Sequence, residues 1–252
     1  MKFNVVSSGS KGNCTLVYSK GSVIQLDFGI SKKRVVEGLS GFDVEFSSIK
    51  AFLITHDHSD HCSNVFNVEK EKLYASNPIL PKAKGMILKE HILVPFTTID
   101  IEPFKITVLP LSHDAKNTVG FVIDDGEEKL AYITDTGFVP EKDFVYLQNL
   151  DYYIFESNHD PKMLYESKRP DYLIRRIISD TGHLSNVDSA YYLSTFLGDK
   201  TKEVILAHLS DECNTPEKAL STFNEVMIAQ LGYVPNVKVL AASDKKETRG
   251  GK

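Results

Sequence analysis

Tryptophan is absent from the 252 residues, and cysteine occurs only three times, as Cys14, Cys62 and Cys213. Three widely spaced thiols build neither a disulfide framework nor a CxxC zinc site, so any metal must sit on other ligands. No apolar run approaches the roughly 18 residues that a membrane helix needs, which excludes a membrane-spanning chain. The opening segment MKFNVVSSGSKGN has an apolar stretch far shorter than the roughly 7 to 15 residues of a signal-peptide core, so the expected location is the cytoplasm. A basic excess is also lacking. Lys+Arg 29 against Asp+Glu 34 leaves a formal charge of -5, whereas a protein that relies on phosphate neutralisation usually carries positive charge. With 42% hydrophobic and 25% charged residues the chain is globular rather than disordered. No repeat, low-complexity tract or Pro/Gly-rich linker divides it, and one α/β domain is expected at this length.

What the sequence does contain is a succession of short β-rich runs bounded by turn residues. Strands are expected at 3–6, 15–18, 23–27, 49–55, 73–75 and 106–111. Runs 121–123 and 129–134 flank an Asp124-Asp125-Gly126 turn, a strong hairpin signal, and 151–156 and 203–207 look like buried strands. Helices are expected over 31–38, 171–179, 187–197 and 216–231. Ser185 caps the third, with Asp188 three residues on, and Thr215-Pro216 opens the fourth. This order suggests sheets packed together with helices outside. The last ten residues, SDKKETRGGK, are wholly polar apart from glycine, so the domain is expected to run 1–242 with 243–252 as a flexible tail.

The chemistry concentrates in Thr55-His56-Asp57-His58-Ser59-Asp60-His61, directly after the apolar run Ala51-Phe52-Leu53-Ile54. At a strand end, His56 and His58 point the same way, while Asp60 and His61 lie further along and can face a second ion. Imidazole and carboxylate without thiolate suit zinc, manganese and iron. Three further candidates each follow an expected strand: His113, Asp135 and His208. Singly, such residues are more often turn formers or hydrogen-bonded structural groups. Together they complete the seven ligands of a two-metal centre. His56, His58 and His113 are assigned to one ion, Asp60, His61 and His208 to the other, and Asp135 bridges. Two divalent ions would put four positive charges in one cleft, where a phosphate could dock despite the negative net charge.

The HxHxDH pattern followed by His, Asp and His resembles the metallo-β-lactamase fold over nearly the whole chain. The resemblance implies an αβ/βα four-layer sandwich with a dinuclear site at one edge between the sheets. Four segments are similar to the YycJ/WalJ (VicX) group of bacterial proteins: Ser7-Ser8-Gly9-Ser10-Lys11-Gly12-Asn13-Cys14, Glu156-Ser157-Asn158-His159-Asp160, Gly182-His183-Leu184-Ser185-Asn186 and Ala207-His208-Leu209-Ser210. That group looks like single-domain relatives of RNase Z and RNase J. Membership implies a metal-dependent DNA exonuclease, 5′ to 3′, with nucleic acid as the partner. The segment between Asp135 and His208 is too short to hold the β-CASP insertion of RNase J. By analogy with RNase Z, His183 is the general acid for the leaving oxygen, a role suited to imidazole.

Other residues carry two readings each. Asp27 either supports the metal ligands or forms a turn. Asn158, His159 and Asp160 position His183, bind substrate or cap the segment that follows. The loop with Ser10 and Asn13 lacks the Walker spacing, but its amides could form a phosphate nest. The clusters Lys32-Lys33-Arg34, Lys82 with Lys84, and Arg175-Arg176 are solvated faces, any of which could follow a phosphate backbone. The expected reaction is phosphodiester hydrolysis, with Asp60 and Asp135 orienting the nucleophile and His183 protonating the departing oxygen. Two rivals stand beside it: hydrolysis of a small ester, thioester or β-lactam on the same site, and a non-catalytic accessory protein that keeps metal for stability.

Overall fold

In the computed structural model, which describes residues 1–252, the chain first forms β1 (Lys2–Ser7), β2 (Cys14–Ser19), β3 (Ser22–Leu26), α1 (Lys32–Leu39), β4 (Ile49–Ile54), α2 (Ser59–Cys62) and β5 (Leu73–Ala75). There follow β6 (Thr98–Ile101), β7 (Phe104–Pro110), β8 (Val119–Asp124), β9 (Lys129–Ile133), α3 (Phe144–Leu147) and β10 (Tyr152–Glu156). The remainder is α4 (Pro161–Tyr165), α5 (Asp171–Ile177), α6 (Asn186–Phe196), β11 (Glu203–Ala207), α7 (Pro216–Leu231), β12 (Lys238–Ala241) and β13 (Thr248–Gly251). The strands make two sheets, in the orders β13-β1-β2-β3-β4-β5 and β12-β11-β10-β9-β8-β7-β6.

Side-chain alternation explains the layering. In β10, Tyr152 and Ile154 point into the core between the sheets, while Tyr153 and Phe155 point outward to α6 and α7. In β1, Phe3 and Val5 face the inter-sheet core and Val6 the outer one, which Val35 and Leu39 of α1 cover. Three apolar interiors therefore separate four layers, the αβ/βα sandwich that the sequence resemblance implies. Each large side chain taken out of water contributes about 1.5–3 kcal/mol, so strands covered on both faces read as almost unbroken apolar runs.

Connectivity brings the functional strand ends together. Strands β9, β10, β11 and β12 are mutually parallel, as are β3, β4 and β5. Strand β7 is antiparallel to β8, which is antiparallel to β9, so β7 runs with β9. The chain following β3, β4, β7, β9, β10 and β11 thus emerges at the C-terminal ends of parallel strands. Caps follow the expected chemistry: Ser185 Oγ accepts from Asp188 N at 3.1 Å, and Thr215 Oγ1 from Lys218 N at 3.1 Å.

Three strands lack a strong sequence signal: β6, β12 and β13. The last corrects the expected flexible tail at 243–252, because Thr248–Gly251 pairs antiparallel with β1 as an edge strand. The reason is steric and backbone-based. A Cβ on Gly250 would run into the Phe3 ring, and Gly251 has φ 76°, so the two glycines allow a close approach that apolar periodicity does not report. No helix is long and apolar enough to cross a membrane.

Candidate metal centre

His56 and His58 follow the end of β4 and lead into α2, which carries Asp60 and His61, while His113, Asp135 and His208 lie just past β7, β9 and β11. Asp27, Asp135 and His208 adopt left-handed φ values of 57°, 58° and 55° directly after β3, near the end of β9 and after β11. Left-handed backbone is costly for residues with a Cβ and clusters at functional sites. The turn that carries Asp60 and His61 is fastened to the first sheet by backbone bonds: Asn13 N to Asp60 O at 2.7 Å and Phe28 N to His61 O at 2.6 Å. Gly29 is required there, because a Cβ would overlap the Asp60 carbonyl.

The structure brings all seven candidates into one cluster. The side-chain donor atoms of His56, His58 and His113 lie within 4.8 Å of one another, and the same holds for Asp60, His61 and His208. Asp135 stands between the triplets. Its Oδ2 is 3.0 Å from His61 Nε2, and its Oδ1 is 3.4 Å from His208 Nδ1 and 3.8 Å from His113 Nε2. Asp57, the remaining acid of the run, turns away and accepts from Asn77 Nδ2 at 3.1 Å.

Buried supports aim these groups. Asp27 is completely buried; its Oδ1 accepts from Thr55 N and Oγ1, both at 2.9 Å, and its Oδ2 from His61 Nδ1 at 2.8 Å and Tyr132 OH at 3.1 Å. It therefore fixes His61 so that Nε2 faces the cluster. Asn13 Nδ2 lies 2.9 Å from His61 Nε2 and 3.3 Å from Asp60 Oδ2. Asn158 Nδ2 donates to His208 O at 2.8 Å.

Sequence reasoning overlooked Glu156. Fully buried at the end of β10, it accepts through Oε1 from His183 Nδ1 at 2.8 Å and His208 Nδ1 at 2.9 Å. Its Oε2 accepts from Thr136 N at 3.0 Å and Leu184 N at 3.1 Å. The available signal was a carboxylate closing an apolar strand, the same setting as Asp135. Two other residues lie apart from the cluster. Ser10 is exposed, and Ser8 instead accepts from His208 N at 2.8 Å. Asp160 is the N-cap of α4, its Oδ1 accepting from Met163 N at 2.9 Å, so capping is the reading its geometry supports. His159 is buried, and burial, against the Glu156 charge, lowers its pKa to about 4.

The electrostatics suit cations. Burial opposes charge on His208, but Asp135, Asp60 and Glu156 outweigh it and raise the imidazole to about 10. Burial likewise opposes His61, which Asp27 and Asp135 hold well above the ordinary histidine value. Desolvation works against ionised Glu156 too, yet His183 and His208 lower it to about 2. Despite burial, His208 and His61 keep Asp60 well below the usual carboxylate range. His56 is the converse: burial and neighbouring imidazoles push it well below its ordinary value, leaving a neutral ring. Its Nε2 and that of His208 are buried and have no hydrogen-bond partner. Orphaned imidazole nitrogens beside converging carboxylates are what a metal pair would satisfy, so the residues fit.

Residues 40–209 match the family described as "Beta-lactamase superfamily domain". The chain is similar to the exodeoxyribonuclease YycJ of Bacillus anthracis, 30% identical over 238 residues, covering 90% of this chain and 89% of the relative. It is also similar to the exodeoxyribonuclease WalJ of Streptococcus pneumoniae serotype 2 (strain D39 / NCTC 7466), 32% identical over a gapped alignment of 263 positions, covering 98% of this chain and 96% of the relative. The crystal structure of the metallo-β-lactamase fold protein YhfI from Bacillus subtilis matches with a TM-score of 0.70 at 17% identity, covering 99% of each chain, a likeness of fold.

Proposed function

The chain belongs to the β-lactamase superfamily as a YycJ/WalJ-type metal-dependent hydrolase, and on that premise we propose that it hydrolyses phosphodiester bonds of DNA, removing nucleotides from a strand end in the 5′ to 3′ direction. The observation that carries the reading is the pair of donor triplets joined by Asp135, beside the exodeoxyribonuclease names of both relatives. We place the activity in the cytoplasm.

His56, His58 and His113 would hold one divalent ion, and Asp60, His61 and His208 a second, with Asp135 shared; manganese and zinc, or iron, suit these donors. Such ions supply Lewis-acid activation of water and stabilise charge on the phosphate oxygens. Asp60 and Asp135 orient the attacking water in line with the departing oxygen. Asp27 keeps the proton of His61 on Nδ1, and Glu156 does the same for His208, so both rings turn Nε2 inward. His183 is anchored through Nδ1 to Glu156 and is 17% exposed, which leaves Nε2 as the ring atom that hands a proton to the leaving oxygen.

The test is cleavage of 5′-labelled and 3′-labelled DNA, with matched RNA, by protein reconstituted with manganese or zinc, beside Asp60→Ala and His61→Ala variants. Stepwise loss from the 5′ end of DNA by the unmodified protein alone is expected. Full metal loading without cleavage, or equal cleavage by the variants, overturns the reading.

A further inference from the structure

Between Asp160 and Gly182 the chain leaves the metal centre, forms α4 and α5, and returns to it. This excursion contains five basic residues, Lys162, Lys168, Arg169, Arg175 and Arg176, against three acids, Glu166, Asp171 and Asp180, in a chain whose net charge is negative. Helix α5 divides cleanly by its repeat. Leu173, Ile174 and Ile177 pack with Leu164 of α4 and Cys213. Tyr172, Arg175 and Arg176, related as i, i+3 and i+4, share the opposite side. Tyr172 is 72% exposed, a large aromatic surface with nothing covering it. Arg175 is exposed and belongs to no salt bridge, while Arg176 Nε donates to Asp114. That contact fixes the direction of the face: Asp114 Oδ1 lies 3.4 Å from His113 Nε2 and 3.8 Å from His58 Nε2. The aromatic and cationic side of α5 therefore begins at the mouth of the donor cluster.

We propose that this face guides a single DNA strand into the metal centre, one base stacking on Tyr172 and neighbouring phosphates lying against Arg175 and Arg176. The inference rests on the phosphodiester reading and deepens it by naming the form of substrate. An unpaired base has a free π-face to lay on a tyrosine, whereas bases inside a duplex are already stacked. Arginine forks match phosphate oxygens, and Arg176 can exchange one oxyanion, the Asp114 carboxylate, for another. The arrangement places stacking and charge along one short surface, which is how sequence-tolerant single-strand sites are built.

The experiment measures binding of a fluorescein-labelled phosphorothioate oligothymidylate, resistant to cleavage, to manganese-loaded protein across a range of salt. Tyr172→Ala and Arg175→Ala are each expected to weaken binding about tenfold. Arg175→Ala should also reduce the slope of log affinity against log salt by about 0.7, the signature of one lost phosphate contact, whereas Tyr172→Ala leaves that slope unchanged. Tyr172→Phe keeps the ring and should bind like the unmodified protein. Tyr233→Ala, altering an exposed tyrosine just beyond α7, should have no effect. Binding by the Tyr172 and Arg175 variants within twofold of the unmodified protein, with an unchanged salt slope, overturns the inference, as does failure of the unmodified protein to bind. Turnover of bis(4-nitrophenyl) phosphate by the unmodified protein reads the phosphodiester chemistry separately. No turnover with variant-sensitive binding defeats that chemistry and leaves the strand path standing; turnover with insensitive binding defeats the strand path alone.

Discussion

His183 and His208 share one acceptor, Glu156 Oε1, at 2.8 and 2.9 Å from their Nδ1 atoms. An ionised carboxylate only accepts, so it places a proton on Nδ1 of both rings and frees both Nε2 atoms for other work. A single buried side chain thereby sets the orientation of a proposed metal ligand and of the proposed proton donor. Glu156→Gln keeps the shape but can point an N–H at either ring. We expect a loss of activity and of metal affinity of about 10- to 100-fold, the usual effect of removing such a support. Metal titration followed by steady-state kinetics checks this, and values within twofold of the unmodified protein would contradict it.

His183→Ala separates proton donation from binding. On DNA, whose leaving alkoxide needs a proton, the rate should fall by about 10²- to 10⁴-fold. On a 4-nitrophenyl phosphodiester, whose leaving group departs without help, the fall should be much smaller, with metal content unchanged. Equal losses on both substrates would assign His183 a structural role instead.

Gly29→Ala places a methyl group against the Asp60 carbonyl at the point where the turn bearing Asp60 and His61 is pinned to the first sheet. The clash must move backbone rather than a flexible side chain. We expect destabilisation of about 2 kcal/mol or more, together with weaker metal uptake. Thermal melting with and without added manganese distinguishes this from a simple loss of packing, since the stabilisation conferred by the ion should shrink as well.

Asp143, which belongs to none of the donor groups, carries a pH signature. Its side chain is fully buried, neither oxygen has a hydrogen-bond partner, and burial, only partly offset by Lys142, raises its pKa to about 7. A carboxyl whose folded pKa exceeds its unfolded value near 3.9 favours folding while protonated. That contribution is complete below the unfolded pKa and is lost as pH rises through about 7. Stability should therefore decline between pH 6 and 8 by an amount on the order of 1–2 kcal/mol, and Asp143→Asn should flatten this decline. Denaturant melts of both proteins across that range provide the check, and parallel curves would rule out Asp143 as the source.

Much of the centre is legible in the chain because its residues obey one local rule: a polar side chain within two residues of the end of an apolar run. His56, His113, Asp135 and His208 all follow it, and the fold then gathers the ends of parallel strands. Glu156 obeys the same rule but lies inside a motif whose later members, Asn158, His159 and Asp160, draw attention by residue type. Ser8 and Ser10 are indistinguishable by composition; only the turn at Gly9, with φ 141°, sends one toward His208 and the other to solvent. Strand β13 is invisible for another reason. Its pairing with β1 is made by backbone groups, and Thr-Arg-Gly-Gly offers no alternation from which to infer it. The two-sided character of α5 likewise emerges once Leu173, Ile174 and Ile177 are seen to be covered.

The seven residues assigned to the two ions run from His56 to His208, the first sheet providing four and the second three. During synthesis the chain emerges from its N-terminus, so the HxHxDH turn leaves the ribosome long before its partners exist. A nascent chain ending before β11 presents an incomplete second triplet, and no length of waiting can complete it. On the proposed two-ion assignment, loading of the full pair is consequently a late event in the life of each molecule, and metal is sampled by a finished fold rather than by a growing one.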